Sequence, residues 1–136
     1  MSIIYSENYK KVLDLAREEA ARLGNSYVIP EHIMLAIIRH GNNTAIEIML
    51  QGHVNPAEIQ RIIEDMIGMG SESFFVGNIV MTARAQRITE LAAVEARNTG
   101  SPRVGTEHLL LALIKDPESS LAQICLLYTS PSPRDS

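Results

Sequence analysis

The feature that most constrains the fold of this chain is an internal repeat. When the sequence is shifted by 76 positions, residues 12–38 align with residues 88–114 at eleven identical positions. The identical residues in the first copy are Leu15, Ala16, Glu19, Ala20, Gly24, Val28, Glu31, His32, Leu35, Ala36 and Ile38. A duplicated segment folds as two copies of one supersecondary unit, and neighbouring copies bury their apolar faces against each other. We therefore expect two similar halves around one shared core.

Helical signals divide the first repeat into four helices, so the predicted fold class is all-α. Apolar residues recur at helical spacing after Ser6, which can cap the first helix, and Gly24 lies where a left-handed residue would end it. A second helix, apolar on most sides and therefore central, is predicted to start near Glu31. Thr44 is a candidate cap for a short third helix, and Pro56 suits the first position of a fourth.

The second repeat lacks a counterpart of that fourth helix. It restarts with Thr82 as a cap, breaks at Gly100, resumes at Thr106 and stops within its third helix, around 121–124. Residues 68–78 are rich in Gly and Ser and are predicted to link the two repeats, which span about 2–67 and 79–124. Because uncovered apolar surface forfeits about 25 cal/mol per Å², we expect this chain to be less stable than one with all eight helices.

Residues 125–136 are interpreted separately. From Cys125 onward the sequence resembles the translation of a common transposon-type sequencing adapter, which predicts that the genuine domain ends near Ile124. A natural disordered Ser/Pro tail is the alternative that composition allows. Cys125 is the only cysteine, so an internal disulfide and a Cys-based zinc site are both excluded, and no thiol chemistry is assigned.

Composition and motifs exclude several functional classes. The 136 residues suit one small domain, and a net charge of −4 without a Lys/Arg cluster argues against nucleic-acid binding. The chain has neither an apolar run of about 18 residues nor a signal-peptide core, so a cytoplasmic location is expected. No catalytic or metal-binding residue is predicted, because the Glu-x-x-His spacing of di-iron helical bundles and the Gly-x-Ser-x-Gly motif of serine hydrolases are both absent.

Both copies carry the pattern Gly-x-x-x-Val-x-x-Glu-His followed by an apolar helix. With this pattern the chain resembles the Clp N-terminal domain over residues 2 to about 124, and residues 15–24 look more like ClpC than ClpA. The resemblance implies an all-helical, pseudo-twofold module at the head of a hexameric AAA+ unfoldase. Such a module recruits substrate and adaptor proteins, which the unfoldase passes to a ClpP-type protease.

The resemblance does not extend to the ATPase. The chain has no Gly-x-x-x-x-Gly-Lys-[Ser/Thr] phosphate loop, so no cofactor is expected here, and ATP and Mg²⁺ would belong to the inferred parent protein. By itself the domain is expected to be a monomer. A stand-alone adaptor or scaffold of the same fold, acting without an ATPase of its own, is the alternative function.

For ClpC-like domains the resemblance also implies a ligand, phosphorylated arginine, held by the Glu of each Glu-His pair. A carboxylate accepts paired N–H bonds from a guanidinium, and free amides at a helix start favour a phosphate. The residues to which the resemblance points are Glu31 and Glu107, with the hydroxyls of Ser6, Thr82 and Thr106. Pro30 stands where the second repeat has Thr106 and lacks both hydroxyl and amide, so the first site is expected to be the weaker one.

Structural roles compete with these assignments. Glu31 and Glu107 would each favour the helix dipole by about 0.3–1 kcal/mol, and a duplicated cap would recur as readily as a duplicated site. His32 and His108 are expected to be packed residues, hydrogen-bonded near the helix start, rather than ligands or bases.

Tyr5 and Met81 are candidates for binding a partner protein. They occupy corresponding positions in the two repeats and are expected to be exposed. The alternative is that both side chains cover the ends of the first helices, since isolated surface apolar residues are ordinary.

Overall fold

A computed structural model describes residues 3–68, 79–118 and 121–127. Within these ranges the regular secondary structure is helical apart from two short strands, which confirms the predicted all-α class. The elements are α1 (Glu7–Arg22), β1 (Tyr27–Val28), α2 (Pro30–His40), α3 (Thr44–Gln51), α4 (Pro56–Ile67), β2 (Val80–Met81), α5 (Ala83–Asn98), α6 (Thr106–Lys115) and α7 (Leu121–Leu127). None of the described helices is long and apolar enough to cross a membrane.

The boundaries of α1 and its counterpart α5 follow from their caps. The Ser6 hydroxyl accepts the Tyr9 amide at 3.1 Å, and the Thr82 hydroxyl accepts the Ala85 amide at 3.2 Å. Each cap satisfies one of the amides that a helix start leaves without an intrahelical acceptor. After α1 the chain reverses at Gly24, where φ is 71°, a conformation that a Cβ atom disfavours. The predicted start and end of α1 are both confirmed.

Helices α2 and α6 form the centre of the molecule. Each packs along the preceding long helix of its own repeat, α1 or α5, and the two also contact each other. The fully buried large side chains come mainly from this pair and include Ile33, Met34, Leu35, Ile37, Leu109 and Leu113. Burial of each such side chain stabilises the fold by about 1.5–3 kcal/mol, so the predicted central helix supplies much of the core.

The two repeats exchange their leading segments, which are the short stretches before α1 and before α5. The sequence analysis missed this feature. In the first repeat β1 pairs in parallel with β2 of the second, with Val28 opposite Met81. A parallel bridge joins Tyr5 of the first repeat to Val104 of the second. Because 28 and 104, like 5 and 81, differ by 76, the two pairings are equivalent. The leading segment of each repeat is therefore held by the other repeat.

Three details of the predicted boundaries differ in the structure or lie outside it. Asn43, not Thr44, caps α3, since its side chain accepts the Ile46 amide at 3.0 Å. The predicted linker lies outside the described residues except for Gly68. Helix α7 continues through Leu127, and Cys125, which the sequence analysis assigned to the tail, is buried. The apolar run from 124 to 127 extends the helix past the expected end at Ile124; residues 128–136 lie outside the described ranges.

An apolar face on one side of the molecule has no covering helix among the described residues. Helix α4 packs against α2 and α7, and Ile124 on α7 is only 6% exposed. Its equivalent on α3, Ile48, is 42% exposed. Likewise Ile114 on α6 is 37% exposed, whereas its equivalent Ile38 packs against the core. The uncovered residues mark the place that a second copy of α4 would occupy.

Candidate functional site

The histidine of each Glu-His pair fixes the start of its helix. His108 Nδ1 accepts the Gly105 amide at 2.9 Å, and His32 Nδ1 accepts the Ile29 amide at 3.0 Å. Both rings are buried, which confirms the predicted structural role. Each histidine therefore orients the backbone from which the preceding glutamate projects.

His32 is held in its neutral form. Its Nδ1 accepts an amide proton, so the ring proton is on Nε2, which lies 2.7 Å from Asn25 Oδ1 and donates to it. Burial lowers the pKa of His32 to about 4, against a smaller opposing effect from the Glu19 carboxylate. The ring is consequently uncharged at neutral pH and is unsuited to act as an acid or base there.

Three helices begin around one cavity of about 300 Å³, which we call the polar cavity. Ser6 caps α1, Thr44 is the first residue of α3, and Gly105 precedes α6. The complete lining comprises Ser6, Asn8, Thr44, Ser101, Pro102, Arg103, Gly105, Thr106 and Glu107. A helix start carries partial positive charge and free amides, so the cavity presents several anion-attracting groups beside one cation, Arg103, and one carboxylate, Glu107.

Gly105 determines where the Glu107 carboxylate lies. A Cβ atom at position 105 would be 1.9 Å from Glu107 Oε1, so any larger residue would push the carboxylate aside. The backbone of Gly105, with φ −116° and ψ −178°, is extended and open to other residues. The glycine thus leaves room for the carboxylate at this position, while its backbone would accept other residues.

The Glu107 carboxylate is available to a ligand. Its Oε1 lies 3.7 Å from His108 Nδ1, but that nitrogen already accepts the Gly105 amide and carries no proton to share. Among the described residues, no Lys or Arg side chain forms an ion pair with Glu107 within 4.0 Å. The side chain is about one-third exposed, so it can accept N–H groups from a guanidinium without first breaking an ion pair.

The Thr106 hydroxyl has a structural partner. Thr106 is buried, and its Oγ1 accepts the Ala45 amide of α3 at 3.2 Å. This bond joins the starts of α6 and α3, which places both at the polar cavity. The Ser6 hydroxyl, which caps α1, also lines the cavity. The structure therefore brings together three of the five predicted ligand residues: Ser6, Thr106 and Glu107.

The equivalent region of the first repeat is built differently. Ile29, Pro30 and Tyr27 replace Gly105, Thr106 and Arg103. Glu31 Oε1 is buried and has no hydrogen-bond partner among the described residues. Thr82 caps α5, and its amide donates to Val28 O at 2.9 Å. Neither Glu31 nor Thr82 lines the polar cavity.

The sequence analysis gave a ligand role to three of the nine residues that line the polar cavity, and it missed one relation between residues. The six lining residues to which it gave no ligand role are Asn8, Thr44, Ser101, Pro102, Arg103 and Gly105. Ser6 lies in the first repeat and yet serves the site of the second, because the leading segments are exchanged. Only knowledge of that exchange could have paired Ser6 with Glu107.

Tyr5 and Met81 are not exposed as expected. Both are half-buried and pack against the core, and the ring centroids of Tyr5 and Tyr9 are 4.8 Å apart. Each contributes its backbone to one of the two pairings that join the repeats, and its side chain packs against the core, which leaves less of that side chain for a partner. The neighbouring residues Ile4 and Val80 are the exposed ones, at 55% and 53%.

The fold and the site define a class: a duplicated all-helical domain whose halves exchange their leading segments around a polar cavity. The chain belongs to the family of the Clp repeat (R) N-terminal domain, whose family model matches residues 4–126. It is 39% identical over 120 residues to the negative regulator of genetic competence ClpC/MecB of Bacillus subtilis, covering 88% of this chain and 15% of that protein. It is 38% identical over 120 residues to the chloroplastic chaperone protein ClpC1 of Oryza sativa, covering 88% of this chain and 13% of that one.

Solved structures show the same fold. The N-terminal domain of Hsp104 from Candida albicans matches with a TM-score of 0.77 at 20% identity, covering 94% of this chain and 83% of that one. The N-terminal domain of ClpD from Arabidopsis thaliana matches with a TM-score of 0.68 at 14% identity, covering 90% and 82%. The chain spans only about one-seventh of the length of its curated relatives. It corresponds to the N-terminal module of Clp chaperones.

Proposed function

We propose that this domain binds substrate and adaptor proteins for an ATP-dependent Clp unfoldase, and that its polar cavity is a receptor for phosphorylated arginine. The observation that carries the proposal is the presence in one cavity of an unpaired carboxylate and several anion-attracting groups. Phosphoarginine has the matching pair of charges, a guanidino group and a phosphate, on one side chain.

The phosphate would lie against the helix starts. Helix geometry leaves the amides of Thr106 and Glu107 without intrahelical acceptors, and Arg103 adds a full positive charge at the cavity rim. Backbone amides at a helix start bind phosphate through both hydrogen bonds and the helix dipole. The Ser6 hydroxyl can still donate its proton while its oxygen accepts the Tyr9 amide.

The guanidino group would pair with Glu107. A carboxylate accepts two parallel N–H bonds from a guanidinium, and each such charge-assisted bond is about twice as strong as a neutral one. Plain arginine would satisfy this carboxylate but would bring a full positive charge close to Arg103 and the helix starts. The cavity should therefore favour the phosphorylated side chain.

One site per chain is expected. In the first repeat Pro30 removes an amide and a hydroxyl, and Tyr27 replaces the cation. Glu31 retains a buried, unpaired carboxylate oxygen, but no equivalent of Arg103 accompanies it. Ligand bound at the second repeat would then be passed, with its protein, to the parent unfoldase and a ClpP-type protease.

The test is a calorimetric titration of the chain with free phosphoarginine and with arginine. We expect saturable binding of phosphoarginine at a stoichiometry of one and no detectable binding of arginine at the same concentrations. Glu107→Gln should weaken binding about 10- to 100-fold, since a hydrogen bond to a charged group contributes about 1.5–3 kcal/mol.

Glu31→Gln is the matched control, because it removes the same charge from the equivalent position in the other repeat. It should leave the affinity within about twofold. No heat of binding at millimolar phosphoarginine, or equal losses in the two variants, would contradict the proposed receptor. In the first case Glu107 would be only a favourable residue for the helix dipole.

A further inference from the structure

A second, more apolar cavity adjoins the polar cavity. It has a volume of about 270 Å³ and is lined by Ile3, Ile4, Ala93, Ala96, Arg97, Ser101, Pro102, Arg103 and Val104. We call it the apolar groove. Ile3 and Ile4 are about half exposed, so the groove is open and its aliphatic wall is in contact with solvent.

The two cavities share a wall. Ser101, Pro102 and Arg103 line both of them. The exchanged segment of the first repeat also lies between the two cavities, where it pairs with Val104. The Val104 amide donates to Ile4 O at 2.8 Å, and the Val104 carbonyl accepts the Ser6 amide at 2.9 Å. Ile4 lines the apolar groove and Ser6 lines the polar cavity. Residues two apart on an extended segment are separated by about 7 Å, which sets the scale of the distance between the cavities.

This distance suits a single extended polypeptide. A peptide with one side chain in the polar cavity would bring a residue one to three positions away over the apolar groove, since each extended residue advances about 3.3 Å. The groove offers that residue aliphatic contact from Ile3, Ile4 and Ala93. Arg97 and Arg103 border it and disfavour a basic neighbour.

We propose that the apolar groove binds an aliphatic side chain of the same unfolded polypeptide whose phosphorylated arginine occupies the polar cavity. This inference rests on the proposed function and narrows the substrate class: the domain recognises phosphoarginine together with an apolar residue within three positions. In a folded protein such apolar residues are mostly buried. The pair of cavities therefore selects phosphorylated chains that have lost their fold.

The test compares phosphoarginine peptides that carry either Leu or Ser two residues on each side of the modified arginine, by fluorescence anisotropy with the full chain. The Leu peptide should bind about tenfold more tightly, in line with partial burial of one aliphatic side chain. Ile4→Ser and Ala93→Gln should reduce this preference to about twofold. Neither variant changes the lining of the polar cavity, so both should bind free phosphoarginine as the original chain does.

Val80→Ser is the matched control, because Val80 is the equivalent of Ile4 and is exposed to the same degree. It should leave the Leu preference intact. Equal affinity for the two peptides, with binding of free phosphoarginine preserved, would contradict the proposed role of the apolar groove but not the proposed phosphoarginine receptor. A Leu preference that survives Ala93→Gln would also overturn it. Absence of free phosphoarginine binding in the original chain would overturn the receptor and this inference with it.

Discussion

The two repeats have the same framework but differ in the residues that could contact a ligand. The starts of α2 and α6 share valine, glutamate and histidine, at Val28, Glu31 and His32 in the first repeat. The valine takes part in the exchanged pairing and the histidine forms the cap, whereas the glutamate has neither role. The residues between them differ: Tyr, Ile and Pro in the first repeat are replaced by Arg, Gly and Thr in the second. The comparison teaches that the valine and the histidine retained in both copies build the fold, whereas the retained glutamate has different neighbours in the sequence of each repeat.

The largest expected effect is the pH dependence of stability that arises from His32, the histidine cap of the first repeat. The folded pKa of His32 is about 4, below its ordinary value of about 6.5, so the folded state resists protonation. Stability is therefore full above about pH 6.5 and is lost as the pH falls toward 4, by up to about 3 kcal/mol. Urea unfolding of the original chain and of His32→Gln, measured across this range, checks the prediction.

His32→Gln keeps an acceptor near the Ile29 amide but cannot titrate. The difference in unfolding free energy between the two proteins should shrink as the pH is lowered, because carboxylates elsewhere titrate alike in both. Parallel pH profiles would show that the first cap does not resist protonation.

The next effect concerns the apolar face on α3 and α6. Gln51 and Leu127 are equivalent positions, so replacing residues 128–136 by a copy of residues 52–67 would place a second α4 in register. Coverage of Ile48 and Ile114 should raise the free energy of unfolding by roughly 2 kcal/mol, measured by urea or thermal unfolding.

The control for this chimera carries serine at the two positions copied from Ile59 and Ile63, the buried residues of α4. It has the same length and nearly the same composition but lacks the two isoleucines that α4 buries. An equal gain in stability from both chimeras would contradict the view that burial of this apolar face stabilises the domain.

The smallest expected effect tests how much the position of the Glu107 carboxylate matters for binding. Gly105→Ala places a Cβ atom against the Glu107 carboxylate, which must move, while the extended backbone accepts alanine. Phosphoarginine affinity should fall about fivefold, equivalent to about 1 kcal/mol, with the unfolding free energy changed by less than about 0.5 kcal/mol. Calorimetry and urea unfolding measure the two quantities.

The reverse exchange places the second repeat's residues in the first. A triple variant with Tyr27→Arg, Ile29→Gly and Pro30→Thr should raise the phosphoarginine stoichiometry from one toward two. Retention of one site in this variant would show that the three differences do not by themselves separate the repeats.

A Gly105→Ala variant with full affinity would show that the position of the carboxylate is unimportant.

The helices could be predicted from sequence because their signals are local. Caps such as Ser6 and Thr82, and the glycine at Gly24, act through residues within one turn. The strands could not be predicted, since two residues at Val80–Met81 carry no pattern, and their pairing depends on a segment more than 50 positions away. The half-burial of Tyr5 and Met81 agrees with the alternative that both side chains cover the ends of the first helices.

The site was predictable in part. The Glu-His repeat drew attention to Glu107, and the replacement of Thr by Pro30 indicated an asymmetry between the repeats. The effect of Gly105 on the Glu107 carboxylate depends on side-chain geometry. The place of Arg103 in the cavity depends on how the loop before α6 folds. The prediction of phosphoarginine itself came from the resemblance and stays a prediction.

The exchange of leading segments also bears on how such a domain could arise. Tyr5 pairs with Val104 and Met81 with Val28, which is the reciprocal contact pattern of a symmetric dimer, in which residue i of one subunit meets residue j of the other and the reverse. Two single-repeat chains could make the same contacts, and their two sites would then be identical by necessity. Joining the copies into one polypeptide removes that constraint. Each half can then mutate separately, so one site can keep a function while the other drifts or acquires a different one.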